Sequence, residues 1–224
     1  MTNAHDLPSL GPNGRDRTAA FARALAGMVP IAGSLIAELI TEVVPGQRLE
    51  RIEYWLRHLV ERLASVEEAA LRERLRKREN VALFEEGAYQ ATRAISEERR
   101  RQIAELVAGG IADDRRDYVE SLRLLRLLGE LDDGEVIILA GYLQKNRDGD
   151  YRARHANVLR DLAVHLGSSR DEIDADTVRK AGRQHLVRLG LLDQGALGGD
   201  ASIQLNRLGR LLLRRIGLAG DDDW

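Results

Sequence analysis

Apolar residues in the first third of the chain fall into two patterns. Between Thr18 and Val44 only Arg23, Glu38 and Glu42 carry charge, and Ala24 to Ala37 carries none. Pro30 divides this stretch, and a mid-helix proline removes a backbone hydrogen bond and clashes with the preceding turn. The pattern therefore predicts two short helices, about 18–28 and 31–43, folded as an apolar hairpin and ended by Pro45-Gly46. From there on, Leu49, Ile52, Leu56, Leu59, Leu63, Val66 and Ala70 alternate steps of three and four among charged residues. That spacing predicts one long amphipathic helix, about 47–77, whose stripe must pack against the hairpin before it or the helices after it.

Val81, Phe84, Ala88 and Ala91 repeat the helical spacing. Ser96-Glu97-Glu98 then supplies an N-cap with acidic residues where they favour the helix dipole. The helix it opens carries Ile103, Leu106 and Val107 and is expected to stop at Gly109-Gly110. Another, about 114–128, shows Tyr118, Leu122, Leu125 and Leu128 before Gly129. A bundle of five or six helices over residues 18–130 follows, preceded by a polar, disordered tail at 1–17.

Beyond a boundary placed near 130, Asp132-Asp133 opens an apolar run from Val136 to Leu143, and QKNRDGD at 144–150 reads as a solvated turn. Helices are expected at about 153–166, ending at Gly167, and about 174–189, ending at Gly190. Leu191-Leu192 and Ser202-Ile203-Gln204-Leu205 then suggest a small hairpin around the glycine loop at 195–200, and Asn206 caps a last helix before the acidic tail at 219–224. The string His185-Leu186-Val187-Arg188-Leu189-Gly190-Leu191-Leu192, followed after a gap by Ile203-Gln204-Leu205-Asn206-Arg207-Leu208-Gly209-Arg210-Leu211-Leu212, resembles the third helix, wing and following helix of winged-helix regulators. Asn206 stands where threonine is usual there, and either residue can cap a helix. The implied fold is all-α: an N-terminal helical bundle followed, over 131–218, by a small winged-helix-like domain with a short β-hairpin.

The small-residue segment Pro30-Ile31-Ala32-Gly33-Ser34-Leu35-Ile36 before a long charged helix, with the Ser96-Glu97-Glu98-Arg99 helix start, resembles bacterial abortive-infection alpha-type helical proteins. That resemblance implies a defence or stress setting.

Composition narrows the chemistry. Apolar residues make up 44% of the chain but aromatics only 4%, which suits aliphatic helices better than strands. Lys and Arg number 34 against 36 Asp and Glu, a formal charge of −2, so no global field draws the chain to nucleic acid. Residues 131–224 hold 14 basic and 15 acidic side chains, and residues 1–130 the remaining 20 and 21, so neither part is a basic module. The absence of cysteine excludes disulfides, thiolate nucleophiles and Cys-based metal sites, and it fits a reducing cytoplasm. The opening MTNAHDLPSLGPNGRDR has no apolar run behind a basic start, so a cytoplasmic location is expected.

Metal ligation needs clustered His, Asp or Glu, but His5, His58, His155, His165 and His185 are scattered. Asn146, Asp148 and Asp150 have the spacing of a calcium loop without its glycine position or its final Glu, so a polar turn is expected. Neither a phosphate-binding glycine motif nor a GxSxG elbow occurs, and Glu85-Glu86 point in different directions on a helix. No catalytic, cofactor or metal residue is assigned. The residues offered to nucleic acid or a partner are Arg179, Lys180, Arg183, Gln184 and Arg188, on the helix before the wing. Asp171, Glu172, Asp174 and Asp176 crowd its start and would face a polyanion, which disfavours DNA reading. The apolar arms at 18–44 are each too short to span a bilayer, so membrane contact is expected only conditionally. The expectation is a non-enzymatic interaction protein that binds a protein partner or itself and belongs to a bacterial defence or stress system. The alternative is a winged-helix DNA-binding transcriptional regulator.

Overall fold

The spacing that predicts a long amphipathic helix is realised in two pieces. The computed structural model describes residues 46–113, 117–146, 149–159, 165, 167–195, 203–220 and 223. The tail at 1–17, the hairpin at 18–44 and most of the glycine loop lie outside them. The described chain is mostly helical with one small antiparallel sheet, and it divides into two compact units, Met1–Arg126 and Leu127–Trp224.

In the first unit α1 (Gly46–Leu63) buries Ile52, Trp55, Leu56, Leu59 and Leu63, and it packs on helices that follow it, α3 (Arg78–Arg93) and α4 (Glu97–Ala112). The expected single helix over 47–77 is corrected. It ends at Leu63 in tight turns, with Ala64 N–H bonded to the Glu61 carbonyl and Val66 N–H to the Leu63 carbonyl, and a separate α2 spans Glu68–Leu75. The bend lets α2 turn back onto α3 and α4 and bury Leu75, while Val66 and Ala70, the last positions of the predicted stripe, are only half-buried. Arg74 donates to the Ala112 carbonyl, fastening α2 to the end of α4.

Ser96 caps α4 as its sequence predicts, its Oγ accepting from the Arg99 N–H at 3.1 Å. The expected stop at Gly109-Gly110 is corrected: α4 runs through both glycines to Ala112. The reason is close packing. A Cβ on Gly110 would lie 2.5 Å from Leu83 Cδ2, and one on Gly87 would lie 2.6 Å from Val107 Cγ2 and 3.2 Å from Trp55 Cζ2. These glycines let α3, α4 and the next helix approach. Buried Arg100 closes the α3–α4 corner, donating through Nη1 to the Ala94 and Ile95 carbonyls, with its guanidinium carbon 5.1 Å from the centre of the Tyr54 ring. Burial first, and then Glu97, pushes the Tyr54 hydroxyl above the ordinary tyrosine range. α5 (Tyr118–Glu130) continues past Gly129, with Leu124, Leu125 and Leu128 buried and Leu122 half-buried.

The second unit opens with α6 (Asp133–Ala140), started by a reciprocal capping box. The Asp132 side chain accepts from the Glu135 N–H at 2.7 Å, and Glu135 Oε2 accepts from the Asp132 N–H at 3.0 Å. After a 3₁₀ turn (Gln144–Asn146), the helix expected over 153–166 is corrected to two short ones, α7 (Gly149–Arg154) and α8 (Ala156–Leu159), with 160–164 outside the described residues. α9 begins earlier than 174, spanning Arg170–Arg188, because Ser169 caps it in a second box with Glu172. It ends in a Schellman turn: Gly190, at φ +69°, donates to the Val187 carbonyl, and Leu191 donates to that of Leu186. β1 (Leu192–Gln194) pairs antiparallel with β2 (Ile203–Leu205), setting Leu192 opposite Leu205 and Gln194 opposite Ile203. Asn206 then caps α10 (Arg207–Arg215), its Oδ1 accepting from the Gly209 N–H at 2.9 Å while its Nδ2 donates to the Gly190 carbonyl at 2.6 Å.

Candidate functional site

The five side chains singled out by sequence all lie on α9, and the structure divides them. Arg179 turns inward with its side chain 9% exposed and holds Asp176 Oδ1 at 2.6 Å. Lys180 holds the other oxygen of the same carboxylate at 2.8 Å. Arg183 is half-buried, whereas Gln184 and Arg188 are exposed. Asp176 is one of only two buried residues on α9, the other being Leu186. The hydrogen bonds from Lys180 and then Arg179 hold its carboxyl below the ordinary aspartate range. Two of the four candidate cations thus neutralise a carboxylate of their own helix.

Sequence reasoning missed one pairing on this helix. His185 Nδ1 lies 2.7 Å from Glu135 Oε1, so the carboxylate that closes the α6 capping box also ties α9 to α6. These residues are fifty positions apart, and nothing local announces their contact. The Asp176 cluster, by contrast, is readable as an i, i+3 and i, i+4 set, and Ser169-x-x-Glu172 is readable as a capping box.

A cleft of about 670 Å³ lies between α6, α8 and α9, with Ile138, Ala156, Val158, Ala175, Val178 and Arg179 among its walls. Asp132, Glu135 and Arg179 are its charged walls, Asp132 capping α6 and the other two engaged in the pairs described above, and Asn157 adds an amide to a lining that is otherwise small and aliphatic. Val178 stands 72% exposed and Ile173 42% exposed on α9, unusual for β-branched apolar residues on a helix this polar. Among the described residues no group of three or more His, Asp or Glu side chains could hold a metal ion, and no helix is long and apolar enough to cross a membrane. Asn146, the first position of the calcium-like spacing, donates its amide to the Ala140 carbonyl at 2.9 Å.

Set against protein-family models, curated proteins and solved structures, the chain matches none.

Proposed function

We propose that the chain is a non-catalytic interaction protein whose second unit is a winged-helix-like module that meets a protein partner through α9. The order α9, β1, β2, α10, with a three-residue strand on each side of the glycine loop, supports the module. One observation carries the choice of partner. Twelve of the nineteen residues of α9 are exposed, yet Arg179 and Lys180 are spent on Asp176, and Asp171 and Glu172 occupy its first turn. A helix that meets phosphates needs uncommitted cations near its N-terminal turns, whereas a protein contact tolerates mixed charge around exposed aliphatic residues such as Ile173 and Val178.

A DNA-binding regulator is the second reading, favoured by exposed Gln184 and Arg188 on the half of α9 nearest the hairpin. Fluorescence anisotropy with duplex DNA, including the gene's own upstream region, separates the two. The expected result is weak, sequence-indifferent, salt-sensitive binding, at or weaker than about 10⁻⁴ to 10⁻⁶ M. Nanomolar, sequence-selective binding that is lost in Arg183→Ala overturns the protein-contact reading.

A further inference from the structure

Charge is distributed unevenly along α9. With Asp176, Arg179 and Lys180 paired among themselves, its N-terminal half keeps Asp171, Glu172 and Asp174 against Arg170, a net −2, while 181–188 carries Arg183 and Arg188 with no acid, a net +2. Such a helix is complementary to itself when reversed. A stripe of six residues, Asp171, Asp174, Val178, Ala181, His185 and Arg188, follows alternating steps of three and four, the spacing that lines one side of a helix as a seam. All are exposed except His185, which is half-buried. The side chains of Asp171, Asp174 and Arg188 enter no hydrogen bond or ion pair among the described residues, in contrast to Asp176 at the packed side of the helix.

We infer that this seam is the docking surface for a second copy of the chain, two α9 helices lying antiparallel about a two-fold axis between Val178 and Ala181. The step pattern is symmetric about that point. Asp171 then meets Arg188 of the second copy and Val178 meets Ala181, each pair occurring twice, as an isologous interface requires, while Asp174 meets the outer edge of His185, whose Nδ1 stays with Glu135. The centre is apolar and small, so the helices can approach, and Val178, the most exposed large apolar side chain among the described residues of the unit, is the one that becomes covered. Val178 also forms part of the wall of the apolar cleft, which places further aliphatic surface beside the seam. Nucleic acid fits this face poorly, because its N-terminal half would oppose the phosphates. The inference rests on the reading of α9 as a protein-contact surface and names its partner.

A single helix pair about 28 Å long gives an interface at the small end of the specific range, so the dimer is reversible, with a dissociation constant on the order of 10 μM. Sedimentation velocity on the full chain, across a dilution series and at low and high salt, reads it directly. The parent is expected to shift from monomer to dimer across that range and to weaken as salt screens the end pairs. Asp171→Arg and Arg188→Asp each set like charges opposite one another and should weaken association about tenfold or more, as should Val178→Asp at the centre. All three positions are exposed, and far-UV circular dichroism confirms that the variants fold. Mixing Asp171→Arg with Arg188→Asp restores both opposite-charge pairs in the heterodimer, so the mixture should associate like the parent although neither variant does alone.

A parent that stays monomeric to about 200 μM, well above the expected constant, overturns the inference. So do single variants that dimerise as well as the parent, or a mixture that stays monomeric. A monomeric parent that also ignores duplex DNA removes only the second copy. Variants that leave the oligomeric state unchanged but weaken DNA binding remove the protein-contact reading as well.

Discussion

Leu59 is 3% exposed at the middle of the α1 stripe, between Leu56 and Leu63, so Leu59→Ala leaves a cavity among side chains with little room to collapse. A loss of about 2–5 kcal/mol in chemical denaturation is expected, while exposed Arg57 should tolerate alanine. Gly87 makes a sharper test, because two effects oppose each other there. Alanine gains about 1 kcal/mol of helix propensity, but its Cβ would stand 2.6 Å from Val107 Cγ2, a branched and fully buried side chain that cannot swing aside, and overpacking costs about 1–3 kcal/mol. Gly87→Ala should therefore destabilise, as read by thermal melting, and a stabilised variant would show that α3 and α4 are less tightly held than this. The leucine stripe was legible as periodicity from Ile52 to Leu63. The role of Gly109-Gly110 was not, because a glycine pair that ends a helix and one that admits a neighbouring helix are the same letters until the neighbour is in place.

Helix starts were more legible than helix interruptions. Ser96 and Asn206 cap where their side-chain chemistry predicts. The break after Leu63 is set by how α2 folds back on α3 and α4, a tertiary demand that overrides a stripe still readable through Ala70. On α9 the signals were local but were read as charge rather than geometry. Asp171 to Asp176 looked like one acidic block, yet Ser169 and Glu172 form a cap, and Asp176 turns inward to Lys180 and Arg179. This gives α9 a pH dependence of defined sign. The Asp176 carboxyl is held below its ordinary value in the folded chain, so it contributes stability at neutral pH. That contribution starts to fall as the pH drops below about 4 and is gone below its lowered folded value. Thermal melts of Asp176→Asn against the parent should differ at pH 7 and converge in acid. A gap that persists unchanged at pH 2 would mean that the ion cluster contributes nothing.

At the scale of the molecule, two compact units carry different kinds of surface. In the first, every helix packs apolar residues inward. In the second, α9 leaves most of its residues exposed and arranges its charge in two opposed blocks. Sequence reached the mostly helical make-up and the small β-hairpin, and it offered five α9 residues, Arg179, Lys180, Arg183, Gln184 and Arg188, as contacts. It could not sort those five, because which cations are spent internally depends on which way Asp176 points.

Backbone amide spectra of the isotopically labelled chain test the account's central claim most directly, recorded first across a concentration series and then with duplex DNA added at matched salt. The account predicts that rising protein concentration shifts the amides of α9, centred on Val178 and Ala181, and that DNA at equal concentration leaves them nearly unmoved. DNA-induced shifts confined to α9 and saturating at stoichiometric duplex, with no dependence on protein concentration, would contradict it.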